Sequence, residues 1–150
     1  YPLNVKVVKD LKPNYSPNMN LVKNGKEVLK LTTNPKDLQN ETLHTIFYGR
    51  GRGIHSTQPF TGVLLKKLIA KYSKQNQQNI RKGLVVVAAV DGYRAVYSYS
   101  ELMNRNDQQE VLLISDEESK EDGKFRVFPA CDFFSDRAVK GINSIYINAE

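Results

Sequence analysis

The sequence is poor in the residues that carry most metal and redox chemistry in proteins. It contains one cysteine, Cys131, two histidines and no tryptophan among 150 residues. A single cysteine excludes an internal disulfide framework and a site built from several thiolates. Two histidines, His44 and His55, leave little for a zinc site. We therefore expect no metal in this protein.

Long apolar runs are also missing. The longest, residues 84–90, has the length of a buried strand and is too short to cross a membrane as a helix. We therefore do not expect the chain to be membrane-embedded. The sequence begins at Tyr1 rather than at methionine, which favours a mature or trimmed product, and we expect a periplasmic or secreted location.

The charge is positive, but its distribution is not typical of a nucleic-acid-binding protein. The formal charge is +6 and the isoelectric point is about 9.4. The lysines are scattered, and no basic block alternates with aromatic residues as a single-strand platform requires. We therefore expect no nucleic-acid partner. The length and the 40% hydrophobic content predict one buried core, and hence a single domain over residues 1–150.

Most of the chain is predicted to form strands. Asn24-Gly25 lies between two short β-prone segments and is a strong hairpin signal, because both residues tolerate positive φ. Asp91-Gly92 predicts a second tight turn, and the acidic run over residues 116–123 predicts an exposed loop. The predicted strands are residues 3–8, 19–22, 28–31, 43–48, 84–90, 93–97, 111–114, 125–128 and 142–147.

One main amphipathic helix is predicted to start at Thr61, whose hydroxyl can cap it. Its apolar face consists of Leu64, Leu65, Leu68, Ile69 and Tyr72, and its lysines lie on another face that is expected to be solvated. Asn34-Pro35 predicts a short helical turn, and residues 98–103 a short helix capped by Ser98 or Ser100. The predicted fold is therefore α+β, with mixed β-sheets and one main amphipathic helix.

The segment that most suggests ligand binding is Phe47-Tyr48-Gly49-Arg50-Gly51-Arg52-Gly53. Arg50 and Arg52 carry planar forks that can bind a carboxylate, a phosphate or a ring carbonyl through two hydrogen bonds. Tyr48 can stack on a heterocycle, and His55 can donate to a ligand oxygen or nitrogen. A flexible, positively charged surface loop also explains these residues. The glycine pattern is not a dinucleotide fingerprint, because no helix opens directly from it.

A second group of candidate residues lies in the Asp91-Gly92-Tyr93 turn. The carboxylate of Asp91 can accept both the exocyclic amine and the ring N–H of a pterin-like pyrimidine. Tyr93 lies next to it and is assigned to the same site. A routine hairpin turn explains the same residues without a ligand.

Seven segments follow one another in a characteristic order over most of residues 21–147. They are the hairpin at Gly25, Pro35-Lys36-Asp37-Leu38, the Gly-Arg loop, Thr61-Gly62-Val63-Leu64-Leu65-Lys66-Lys67-Leu68-Ile69, Val87-Ala88-Ala89-Val90-Asp91-Gly92-Tyr93, Arg126-Val127-Phe128-Pro129 and Arg137-Ala138-Val139-Lys140-Gly141-Ile142. Together they resemble the sulfite-oxidase-type molybdopterin-binding domain in its small stand-alone form. The resemblance implies the fold of the sulfite-oxidase middle domain. It also places Arg137 on the cofactor side. Pairing with Asp132 or Asp136 explains the same arginine without a ligand.

The chain departs from that family where the metal would bind. Enzymes of the family ligate molybdenum through a cysteine just before the loop that corresponds to residues 49–53, and here Phe47 and Tyr48 stand in its place. A thiolate is the soft ligand that such a metal needs, and Cys131 lies far downstream. Ala138 also replaces a tryptophan common in the family. In its size and in lacking the thiolate, the chain is similar to small exported proteins of this fold that bind pterins as sensors.

The leading hypothesis is therefore a non-enzymatic module that binds a pterin or a related heterocycle and acts through a partner such as a membrane receptor. Molybdopterin is the less favoured ligand. The alternatives are a molybdenum-cofactor oxidoreductase, or a subunit of one, with an atypical ligand set, and an adhesion or scaffold domain with a decayed pocket. The predicted cleft is lined by Tyr48, Arg50, Arg52, His55, Asp91, Tyr93 and Arg137.

Overall fold

The computed structural model describes residues 15–46, 48–49, 53–54, 56–119 and 123–150. The strand predicted over residues 3–8 and the candidate ligand residues Arg50, Arg52 and His55 lie outside these ranges. Everything below refers to the described residues.

In this part of the chain eleven strands and three short α-helices form. The strands are β1 (Met19–Lys23), β2 (Lys26–Leu31), β3 (Asn40–Thr45), β4 (Tyr48–Gly49), β5 (Gly53–Ile54), β6 (Gln58–Leu64), β7 (Leu84–Ala89), β8 (Arg94–Ser98), β9 (Val111–Ser115), β10 (Phe125–Pro129) and β11 (Ile142–Asn148). The helices are α1 (Leu65–Ala70), α2 (Gln77–Lys82) and α3 (Tyr99–Met103), and a 3₁₀ helix covers Ser135–Arg137.

The longer strands form two sheets. The first has the order β2-β1-β11-β7-β8 and is mixed, because β1 runs parallel to β11 with Leu21 beside Ile145. The second has the order β10-β9-β6-β3 and is antiparallel. The short strands β4 and β5 pair with each other. The predicted α+β class with mixed sheets is therefore confirmed. The single domain over residues 1–150 stays a prediction.

The main core joins side chains of both sheets and of α1. In β11, Ile145 and Ile147 are fully buried while Tyr146 between them is not, as the two-residue period of a strand requires. Tyr97, Phe125 and Leu68 are also fully buried in this core. A second, smaller cluster contains the stacked rings of Phe60 and Phe128, whose centroids lie 3.7 Å apart.

The main amphipathic helix begins four residues later than predicted. Thr61 lies in β6, where its hydroxyl is 2.7 Å from that of Thr42 on β3, so the predicted N-cap is wrong. Residues 61–64 match a helical spacing, but their pairing with two neighbouring strands decides their conformation. The helix α1 is only six residues long, and α2 and α3 accompany it.

Several local predictions are confirmed by backbone geometry. Asn24 and Gly25 form the β1–β2 hairpin with φ of 47° and 83°. Ser98 caps α3 and forms a capping box with Glu101. The segment after Pro35 forms a turn, closed by the Leu38 N–H donating to the Pro35 carbonyl, and not a helix. Among the described residues, no helix has the length and apolar character needed to span a membrane.

Candidate functional site

A small cleft opens between the turn after β7 and the segment before β11. Its volume is about 280 Å³. We call it the Asp91 cleft. It is lined by Ala89, Asp91, Tyr93, Ser135, Asp136, Ala138, Val139 and Lys140. Two of the predicted site residues, Asp91 and Tyr93, therefore lie in the same cleft.

The turn that carries Asp91 and Tyr93 is held by its own hydrogen bonds. The Tyr93 N–H donates to Asp91 Oδ1 at 2.8 Å, and the Gly92 N–H donates to the Ala89 carbonyl at 3.1 Å. Gly92 has a φ of 89°, a backbone conformation that residues other than glycine rarely adopt. The Tyr93 hydroxyl donates to the Asp136 carbonyl at 2.5 Å, and the residue is 49% exposed. Its ring is therefore fixed and accessible at the same time.

The guanidinium of Arg137 is engaged by two carboxylates. Its Nε and Nη2 donate to the two oxygens of Asp132 at 2.8 Å each, and its Nη1 donates to Glu101 Oε1 at 2.5 Å. Burial raises the pKa of Asp132, but hydrogen bonds from Arg137 and Cys131 lower it, and the resulting pKa lies below the ordinary value. The predicted pairing of Arg137 with Asp132 is confirmed. A ligand contact by Arg137 stays a prediction.

Tyr97 lies beneath this ion pair. The Arg137 guanidinium carbon is 4.5 Å from the centroid of the Tyr97 ring, a cation–π geometry, and the Tyr97 hydroxyl donates to the Arg137 carbonyl at 2.7 Å. Burial raises the pKa of Tyr97 well above its usual range. The hydroxyl therefore keeps its proton and remains a hydrogen-bond donor.

The single cysteine lies beside the same carboxylate. The Cys131 thiol donates to Asp132 Oδ1 at 3.3 Å. Burial, together with the hydrogen bond and charge of Asp132, raises the pKa of Cys131 to about 11. The thiol is therefore protonated at neutral pH, which disfavours it as a nucleophile or as a soft metal ligand.

Tyr48 belongs to an aromatic cluster with Phe133 and Phe134. Its ring stacks on Phe133 with centroids 6.1 Å apart and meets Phe134 edge-on at 5.6 Å. Its N–H donates to the Phe133 carbonyl at 2.5 Å. Phe134 is 58% exposed, so the cluster presents an accessible aromatic surface. Tyr48 is paired with Ile54 across β4 and β5.

Residues 131–140 are the common neighbour of every predicted site residue that the structure describes. Tyr48 contacts the start of this segment, Arg137 belongs to it, and Asp91 and Tyr93 line the cleft with its end. The predicted roles of Arg50, Arg52 and His55 concern residues outside the described ranges and stay predictions.

Of the residues that line the cleft, sequence reasoning assigned only Asp91 and Tyr93 to a site, and it missed one residue that supports the cleft. Ser135, Ala138 and Val139 line the cleft, but they carry no pattern that separates them from ordinary loop residues. Glu101 holds Arg137 from a distance of 36 residues along the chain. The spacing of Ser98 and Glu101 is that of a capping box, which could have placed Glu101 at a helix start. It could not have linked Glu101 to Arg137.

Comparison with known proteins assigns no family to this chain. No family model matches the sequence, and no curated protein matches it. Within the described ranges, no group of three or more histidine, cysteine, aspartate and glutamate side chains could hold a metal ion. The resemblance to the sulfite-oxidase-type domain rests on the segments quoted above and stays a prediction.

Proposed function

We propose that this protein binds a small, flat, polar heterocycle such as a pterin in the Asp91 cleft, and that it acts as a sensor or carrier rather than as an enzyme. The observation that carries this proposal is the combination of a carboxylate, an accessible tyrosine ring and a lysine around one cleft. The volume of about 280 Å³ lies just below the roughly 300–1,000 Å³ typical of drug-sized ligands. One bicyclic ring system suits that volume.

The chemistry of the cleft suits a ligand with an edge of N–H donors. A carboxylate only accepts hydrogen bonds, and it can accept more than one. Asp91 Oδ1 already accepts the Tyr93 N–H, which fixes the orientation of the carboxylate. A pterin can offer its amine and its ring N–H to that carboxylate and stack on the Tyr93 ring. Lys140 also lines the cleft and can donate to a ring carbonyl.

We also infer that the fold is of the sulfite-oxidase middle-domain type. The α+β class with mixed sheets and the order of the quoted segments support this inference. In such a fold Arg50, Arg52 and His55 would complete the ligand site, and the aromatic cluster around Tyr48 would extend it. A periplasmic or secreted location and a receptor partner belong to the same proposal.

Titration of pterin fluorescence with the purified protein tests the proposal. We expect saturable quenching, and Asp91→Asn should weaken binding at least about tenfold, because it replaces an acceptor oxygen by a donor and removes the charge. Asp116→Asn is a matched control, since Asp116 Oδ1 also accepts the N–H two residues later, at 3.0 Å, but lies outside the cleft. Wild-type protein without saturable binding up to roughly 100 µM pterin would contradict the proposal.

A molybdenum oxidoreductase is less well supported by the contacts of Cys131. The thiol is hydrogen-bonded to a carboxylate that raises its pKa, whereas a soft metal needs the thiolate. Metal analysis of protein purified from its native host separates the two functions. Molybdenum near one equivalent that is lost in Cys131→Ser would favour the oxidoreductase over the proposed pterin module.

A further inference from the structure

We propose that Arg137 is a positioning residue of the Asp91 cleft. In this role Arg137 does not touch the ligand. Its ion pairs with Asp132 and Glu101 hold residues 135–140 in the conformation that forms one wall of the cleft. This inference rests on the proposed function and assigns Arg137 a different part in it from the one that the family resemblance implies.

The guanidinium of Arg137 is bound by groups of the protein that do not line the cleft. Five of the six residues over 135–140 line the cleft, and Arg137 is the exception. Its guanidinium makes four hydrogen bonds, two to Asp132, one to Glu101 and one to the Val96 carbonyl at 3.3 Å. A guanidinium has five N–H donors. The described residues therefore leave at most one N–H for a further partner. The bidentate geometry that makes arginine a good ligand for anions is already used by Asp132.

The backbone around Arg137 is held at the points where it forms the wall. The Tyr97 hydroxyl donates to the Arg137 carbonyl at 2.7 Å, and the Tyr93 hydroxyl donates to the Asp136 carbonyl at 2.5 Å. The Ala138 N–H donates to the Ser135 carbonyl at 3.0 Å, and the Val139 N–H to the Arg137 carbonyl at 3.0 Å. Tyr97 in β8 and Tyr93 just before it thus hold the backbone of residues 136 and 137, and the ion pairs of Arg137 hold its side chain at the same place.

Glu101 connects this wall to the start of α3. One oxygen of its carboxylate accepts from Arg137, while the other accepts the Ser98 N–H at 2.8 Å within the capping box. The capping box therefore orients the carboxylate independently of its bond to the guanidinium. Because the planar fork of arginine fits fixed carboxylates in one geometry, lysine at position 137 would keep the charge and lose the orientation.

Hydrogen exchange and pterin titration on the same variants test the inference. In Arg137→Lys we expect the Ala138 and Val139 amides of the ligand-free protein to exchange roughly tenfold faster or more, and the pterin dissociation constant to rise about tenfold. Glu101→Gln keeps an acceptor oxygen and should show the same two effects more weakly. Arg105→Lys is the matched control, because Arg105 also forms a bidentate pair, with Asp107, and does not line the cleft.

The two measurements separate the possible roles of Arg137. Weaker pterin binding in Arg137→Lys with unchanged exchange at Ala138 and Val139 would show a direct ligand contact and overturn the inference. Exchange that rises equally in β7 would show a general loss of stability and would also overturn it. If the wild-type protein binds no pterin, the proposed function fails and the positioning of a pterin site fails with it. Faster local exchange in Arg137→Lys would then still show that Arg137 holds the wall.

Discussion

Replacing Lys66 with methionine should lower the free energy of unfolding by about 2 kcal/mol, because it leaves the Glu110 carboxylate without its cation. The side chain of Glu110 is only 10% exposed, and that of Lys66 is 29% exposed. Breaking a fully buried ion pair costs roughly 3–5 kcal/mol, and an exposed pair contributes roughly 0–1 kcal/mol. The partial exposure of Lys66 places this pair between the two ranges. For a chain of this size, the midpoint of thermal unfolding should fall by roughly 4–8 °C.

The neighbouring residue on α1 provides the control. Lys67 pairs with Glu41 at 2.7 Å, but the two side chains are 45% and 37% exposed, so Lys67→Met should cost only about 0.5 kcal/mol. Urea unfolding of both variants measures the difference. The double variant Lys66→Met with Glu110→Leu should recover most of the lost free energy of unfolding, since it also removes the unpaired charge of Glu110. Equal effects of the two lysine substitutions, or a double variant no more stable than Lys66→Met alone, would refute this reasoning.

Three further predictions concern the core and the Arg137 region. Gly62→Ala should cost about 1–3 kcal/mol in urea unfolding, because a Cβ there would lie 2.4 Å from the Leu113 carbonyl oxygen; an unchanged midpoint would contradict this contact. Alkylation of Cys131 by iodoacetamide at pH 8 should be about 100-fold slower than for a thiol with a pKa of 9.0, since its own pKa is about 11, and Asp132→Asn should speed it. The lowered pKa of Asp132 stabilises the fold above pH 3.8, its ordinary pKa, and this stabilisation is lost as the pH falls through the lower folded value. The midpoint temperature of thermal unfolding should therefore fall more steeply below about pH 4 in the wild type than in Asp132→Asn. Parallel plots of midpoint temperature against pH for the two proteins would count against the ion pair.

The elements that the sequence predicted well are those whose determinants are local. Val85 and Val87 belong to a run of β-branched residues that forms a buried strand in many surroundings, and the Asn24-Gly25 turn needs only its own backbone to adopt positive φ. The start of α1 was predicted wrongly, because strand pairing with residues about 20 and 50 positions away keeps Thr61 in β6. The helix α2 was missed, although Asn76 caps it in the usual way, with its side chain accepting the Asn79 N–H at 2.8 Å.

The same distinction explains which parts of the candidate site could be predicted. The Asp91-Gly92-Tyr93 turn brings a carboxylate and an aromatic ring together within three residues, so its geometry follows from local sequence. The cleft exists only because that turn meets residues 135–140, more than 40 positions later in the chain. Sequence patterns indicate which residues can recognise a ligand, but the wall that they face depends on tertiary packing.

Arg137 shows why an arginine near a predicted site has two competing explanations. Its charge and planar fork suit a ligand anion and a carboxylate of the same chain equally well, and only the nearest fixed acceptor decides between them. Here Asp132 is five residues away, and Glu101 is held in place by the capping box of α3, so both acceptors are present before a ligand arrives. A ligand that bound this guanidinium through two hydrogen bonds would have to displace a carboxylate, and the half-buried carboxylate left unpaired opposes binding. Arg137 therefore favours ligand binding more by fixing residues 135–140 than it would by contacting the ligand itself.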